Sequence, residues 1–131
     1  MIKAILFDLD GTLIDTNELI IETFLYVLKG KTPKPLTRED IIPHMGKPLE
    51  EQLRHFLGRE DVAGEVEAYR VYNIQRHDDL IREFPGVREA VEALKRKGLA
   101  LGIVTTKRKE TALMGLKRCG LHSYMDVVIT L

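Results

Sequence analysis

Ala4-Ile5-Leu6-Phe7-Asp8-Leu9-Asp10-Gly11-Thr12-Leu13-Ile14-Asp15 is the stretch whose reading decides the fold. The apolar run Ala4 to Phe7 has the length and composition of a short buried strand. Asp8 and Asp10 follow at its carboxyl end, where Gly11 permits a tight turn and a close backbone approach to a ligand. In open parallel α/β sheets, ligands sit outside those strand ends. Two acids so close repel by roughly 4 kcal/mol at a separation of ~4 Å and an effective dielectric of ~20. Such a pair requires a bound cation or a shared proton.

The 131 residues give room for one ordinary domain, or a domain with a small insert. Apolar residues make up 44%, enough for a core, and the charged fraction of 31% is that of a soluble protein. Lysine plus arginine and aspartate plus glutamate number 20 each, so no basic field recruits nucleic acid or anionic lipid. No apolar run reaches the ~20 residues of a membrane span. The chain opens directly into a strand, without the charged and apolar regions of a leader. A single cysteine, Cys119, excludes an internal disulfide and fits a reducing cytoplasm, the compartment expected here.

Working outward from the opening stretch, residues 17–29 are dense in Leu, Ile, Phe and Tyr, with Thr16 as the expected N-cap and Gly30 as the C-cap. Pro33 and Pro35 make a loop. Thr37-Arg38-Glu39-Asp40 reads as a capping arrangement for a short helix ending near Pro43. Pro48 suits the start of a helix carrying Leu49, Leu53, Phe56 and Leu57, and a longer helix is expected over about 61–78, with Val62, Val66, Tyr69 and Asn73 on one face. Residues 15–81 therefore read as an all-helical insert. The pattern then changes. Pro85-Gly86 leads into a helix closed by Lys95-Arg96-Lys97-Gly98, where basic residues complement the helix dipole. Strands are expected over 101–105 and 126–130, with a helix over 111–119 between them. Alternating strands and helices imply right-handed crossovers and a parallel sheet. The expected architecture is α/β: a partial Rossmann-like parallel core of three strands, residues 1–14 and 82–131, with an all-helical cap, residues 15–81, inserted after the first strand.

The run from Asp8 to Asp15, Asp-x-Asp-Gly-Thr-x-x-Asp, resembles the first signature motif of the haloacid dehalogenase-like (HAD) phosphotransferases. The resemblance implies a threonine or serine at the end of the second core strand, and Thr105, followed by Thr106 and Lys107, supplies it. It further implies that Asp8 is a nucleophile forming an aspartyl-phosphate, a role suited to a carboxylate because the acyl phosphate is readily hydrolysed. Asp10 would protonate the leaving group and then activate water. The carboxylate of Asp8 and the backbone carbonyl of Asp10 would bind Mg²⁺, a hard ion preferring oxygen. The Thr105 hydroxyl and the N–H groups near Gly11, Thr12 and Thr106 would hold the phosphoryl oxygens. Asp15 reads as structural, a helix cap or hinge. Lys107 reads equally as a substrate contact or a solvated turn residue. Lys47, in Gly46-Lys47-Pro48, is the candidate for a substrate-choosing cap loop, a helix entry being the plainer reading. His44, His55, His77 and His122 lack compact ligand spacing, with His44 and His55 too far apart for one helix face. Cys119 and the Leu113, Met114, Leu116 cluster read as packing.

Asp8 to Glu18, Thr37 to Asp40, Leu101 to Lys107 and Asp126 to Leu131 are similar to one subgroup, the bacterial HAD-type pyrophosphatases, close to the phosphoglycolate phosphatases. This resemblance implies Mg²⁺-dependent hydrolysis of pyrophosphate, or of another small phosphorylated substrate. Phosphoglycolate phosphatase, another small phosphomonoesterase and phosphosugar mutase are the alternative activities. A phospho-accepting receiver domain also uses an acidic cluster, a strand-end threonine and a lysine, but the helical insert and the Asp-x-Asp turn stand against it. A non-catalytic binding module is the remaining alternative. The family continues with a lysine and an acidic Gly-Asp motif that are not found before Leu131. The chain is therefore expected to be a fragment with little activity alone, and its exposed sheet edge could support an oligomer.

Overall fold

The computed structural model describes all residues, 1–131. In chain order its elements are β1 (Ala4–Phe7), β2 (Ile14–Asp15), α1 (Asn17–Leu28), α2 (Arg38–Ile41), a 3₁₀ turn (Ile42–His44), α3 (Leu49–Leu57), α4 (Ala63–Leu80), β3 (Arg82–Glu83), α5 (Val87–Arg96), β4 (Ala100–Val104), α6 (Lys109–Arg118), a second 3₁₀ turn (His122–Tyr124) and β5 (Val127–Ile129). They fall into two compact units, 1–17 with 77–131, and 18–76.

The first unit is built on a parallel sheet in the order β1-β4-β5, as the alternating pattern predicts. The register sets Ile5 beside Leu101, Phe7 beside Ile103, and Ile103 in turn beside Val128. Leu101 and Ile103 are sealed, as are Val91 of α5 and Ala112 and Leu116 of α6. Leu6, Gly102 and Val127 form one row on the opposite face, with Val104 and Ile129 in the next. That face is open: Leu6, Val104, Val127 and Ile129 are 61, 44, 46 and 51% exposed. A Cβ on Gly102 would lie 2.7 Å from a Val127 methyl and 2.8 Å from a Leu6 methyl, so only glycine lets its two neighbours meet over the middle strand. The carboxylate of Asp126 ties the sheet's other end together. It accepts from the Leu101 N–H at 2.9 Å and from Lys95 Nζ at 2.6 Å. Lys95 first, then the Leu101 N–H, hold that carboxyl below the usual aspartate range.

The second unit is helical. Ile21, Phe24 and Leu28 of α1, Ile41 of α2, Leu53 of α3, and Val62 and Val66 form its buried core. Phe24 meets Phe56 edge-on at 5.8 Å and Tyr69 at 4.9 Å between ring centroids. The Thr37 arrangement forms as expected, with the Asp40 carboxylate accepting from the Thr37 N–H at 2.8 Å and its hydroxyl at 3.0 Å.

Several boundaries differ from the sequence reading. Helix α4 runs over Ala63–Leu80 rather than 61–78, because Asp61 instead accepts from the Ala63 N–H and caps the start. Helix α6 opens two residues early, since the Arg108 carbonyl already takes the Ala112 N–H. Strand β5 is shorter than 126–130, its first expected residue being committed through its side chain to Leu101. Thr16 does not cap α1: its hydroxyl is buried without a partner, while Asp15 accepts from the Asn17 N–H at 3.1 Å. The two-residue antiparallel pair β2–β3, Ile14 opposite Glu83 and Asp15 opposite Arg82, carries no periodicity that a sequence could display.

Candidate active site

The candidate site grows from the carboxyl ends of two neighbouring parallel strands. β1 ends at Phe7 and β4 at Val104, and their parallel register brings Asp8 and Thr105 out at the same edge of the sheet. Leu9, between the two acids, is 1% exposed, and its carbonyl accepts the N–H groups of Thr12, Leu13 and Ile14 at 3.0–3.2 Å. This buried anchor makes the turn. Beside the buried Leu9, Asp8 is exposed and Asp10 half-buried. Gly11 takes φ 77°, a left-handed conformation that glycine adopts without strain, and donates to the Ile14 carbonyl at 2.8 Å.

Those turn bonds correct one part of the sequence reading. The N–H groups of Gly11 and Thr12 are both engaged within the turn, so in this conformation neither is presented to a phosphoryl oxygen. Gly11 contributes shape rather than a donor. Thr12 and Thr106 are exposed.

Asp8 is exposed, and one of its oxygens accepts the Leu9 N–H at 2.9 Å. Asp10 Oδ1 lies 3.0 Å from Lys107 Nζ, with side chains 33 and 15% exposed respectively. Of the two readings of Lys107, the solvated turn therefore fails. The ammonium pairs with Asp10 and comes from 97 positions further along the chain. Thr105 is half-buried. Its N–H donates to the Ile129 carbonyl at 3.0 Å, and its hydroxyl oxygen accepts the Lys107 N–H at 3.1 Å. The Lys107 carbonyl in turn accepts from the Leu131 N–H at 3.1 Å. Asp10, Thr105 and Lys107 thus form one bonded group.

Lys47 belongs to the helical unit, in an exposed loop whose carbonyl takes the Gln52 side-chain N–H at 2.7 Å. The rings of His44 and His55 lie 4.1 Å apart between centroids, tilted by 33°, a contact their sequence spacing concealed because one sits on a 3₁₀ turn and the other on α3. Partial burial, then the charges of His55 and Lys47, push His44 below the ordinary histidine range. Cys119 lies in a small cleft with Leu13, Glu83, Arg88 and Leu121, a lining that includes no candidate site residue. Burial, then Glu83, push its thiol up, as suits a packing residue and not a nucleophile.

The oxygen donors at the strand ends suit a hard divalent cation. No group of three or more His, Cys, Asp or Glu gathers anywhere in the chain. A Mg²⁺ held here would take the Asp8 carboxylate and the Asp10 carbonyl and complete its shell with water and phosphate oxygens, as that ion commonly does.

Comparison with known proteins gives a consistent picture. The family model for haloacid dehalogenase-like hydrolases matches residues 5–131. A protein named pyrophosphatase PpaX from Bacillus velezensis is 45% identical over 130 residues, covering 99% of this chain. One of the same name from Anoxybacillus flavithermus is 47% identical over the same span. The chain spans 60% of the length of both relatives. A solved haloacid dehalogenase-like family hydrolase from Streptococcus pneumoniae superposes with a TM-score of 0.88 at 32% identity, over 99% of this chain and 61% of its own.

Proposed function

This chain belongs to the haloacid dehalogenase-like hydrolase family, and from that premise we propose that the protein is a phosphohydrolase acting through an aspartyl-phosphate, with inorganic pyrophosphate as substrate. The observation that carries this reading is the exposed Asp8 carboxylate at the end of β1, beside the bonded group of Asp10, Lys107 and Thr105. Likeness to relatives named pyrophosphatase supports the choice of substrate.

In the first step an oxygen of Asp8 attacks one phosphorus of pyrophosphate, and the bond from that phosphorus to the bridging oxygen breaks. Asp10 gives its proton to the departing phosphate. In the second step Asp10 takes a proton from water as the water oxygen attacks the same phosphorus. The bond to Asp8 breaks, the second phosphate leaves, and both carboxyl groups return to their starting forms. The transferring group spreads charge over three oxygens, so positioned donors and cations supply most of the rate. The hydroxyls of Thr105, Thr106 and Thr12 and the ammonium of Lys107 are the donors on this edge. Mg²⁺, when bound by Asp8 and the Asp10 carbonyl, would add charge neutralisation. Residues 15–81 are proposed as the cap, with Lys47 selecting substrate. The single, buried Cys119 supports a cytoplasmic setting, and no helix is long and apolar enough to cross a membrane.

The test is Asp8→Asn in the complete protein, assayed against pyrophosphate, phosphoglycolate and sugar phosphates. Turnover should vanish while thermal stability holds. Retained turnover would remove Asp8 as nucleophile, and a wild-type preference for an organic phosphate would overturn the substrate.

A further inference from the structure

We propose that Lys107 is a positioning residue that acts through Asp10, fixing the carboxylate that moves the proton; this rests on the phosphohydrolase reading above. Asp10 stands two residues past Asp8, beyond the end of β1, with its side chain 33% exposed and free to turn unless it is held. Lys107 holds it from the turn that follows β4, its Nζ donating to Oδ1 at 3.0 Å in a charge-assisted bond. Oδ2 then remains as the oxygen that gives and takes the proton.

The ammonium is itself held. Its side chain is only 15% exposed, and its backbone is fixed at both ends, by the Thr105 hydroxyl and by the Leu131 N–H, at 3.1 Å each. A lysine four methylenes long would otherwise sample many rotamers and orient nothing. The same arrangement orders Thr105. Because its oxygen accepts the Lys107 N–H, its one hydrogen is directed elsewhere. One turn therefore presets the proton carrier beyond the end of β1 and the hydroxyl just past β4.

The test is a kinetic cycle in the complete protein with Mg²⁺ and pyrophosphate, using wild type, Lys107→Gln, Lys107→Arg, Asp10→Asn and the Lys107→Gln/Asp10→Asn double variant. It is paired with the NMR signal of the Lys107 ammonium. Lys107→Gln should lower kcat by about 10- to 100-fold, part of the ~10²–10⁴ that a positioned acid–base group supplies, and leave KM within about threefold. Lys107→Arg, which keeps charge and donor, should recover most of kcat. The double variant should be no slower than Asp10→Asn alone, because the two residues work as one unit. Asp10→Asn should also shift the ammonium signal. A Lys107→Gln kcat within threefold of wild type overturns the proposal. So does a Lys107→Gln loss that multiplies fully onto Asp10→Asn, or an ammonium signal unmoved by Asp10→Asn. If Lys107→Gln fails to fold, Lys107→Arg and the ammonium shift decide. Failure of the wild type to hydrolyse any phosphate substrate sinks the function itself and this inference with it, a result readily told apart from a normal wild type beside an unaffected variant.

Discussion

In the helical unit seven buried side chains, Phe24 among them, form one core, whereas in the α/β unit Leu101 and Ile103 are sealed while Leu6, Val104, Val127 and Ile129, on the same three strands, stand open. The difference comes from the elements. A helix has one apolar stripe to hide. A strand in a parallel sheet has two faces, and parallel sheets are ordinarily covered on both. The unit that carries the candidate catalytic acids is thus held from one side of its sheet, and the unit that carries Lys47 is closed on itself.

Truncating the centre of the closed core should show the largest effect. Phe24→Ala is expected to cost about 3–5 kcal/mol, read as a fall in the denaturant midpoint, and a smaller loss would mean that this core is less closed than its burial implies. Next comes a matched pair in the sheet. Ile103→Ala should cost about 2–5 kcal/mol, while Leu6→Gln, one strand away on the open face, should stay within about 0.5 kcal/mol. Equal costs would erase the distinction between the faces. Gly102→Ala is intermediate, about 1–3 kcal/mol, because the new methyl would displace Val127 and Leu6.

The smallest effect is a pH dependence confined to the helical unit. His44 is held below the ordinary histidine range, so as pH falls the unfolded chain takes up that proton first. Stability is therefore full above about pH 6.5, the ordinary histidine value, and erodes as pH falls through and below it. Thermal midpoints between pH 8 and 5.5 should fall less for His44→Gln than for wild type.

How much of this was legible depends on how local the cause is. The Leu9 turn, the strand-end Thr105 and the capping at Thr37 all answer to neighbours within a few residues, and the sequence displays them. The alternation of strands and helices likewise announces a parallel sheet. Lys107 is different. Nothing in its surroundings distinguishes it from Arg108 or Lys109, and only the parallel register of β1 and β4 delivers it to Asp10. The His44–His55 ring contact was hidden for the same reason, since its partners ride on separate elements. The engaged N–H groups of Gly11 and Thr12 follow from which carbonyls the turn selects, and residue type alone does not settle that.

Gly102 has one more consequence. Without a side chain there, the middle of the Leu6–Gly102–Val127 row is a notch, and Val104, two residues along the same strand, stands beyond it on the same face. A single hydrogen in place of a methyl therefore sets the relief of this face, low at Gly102 and raised at Val104.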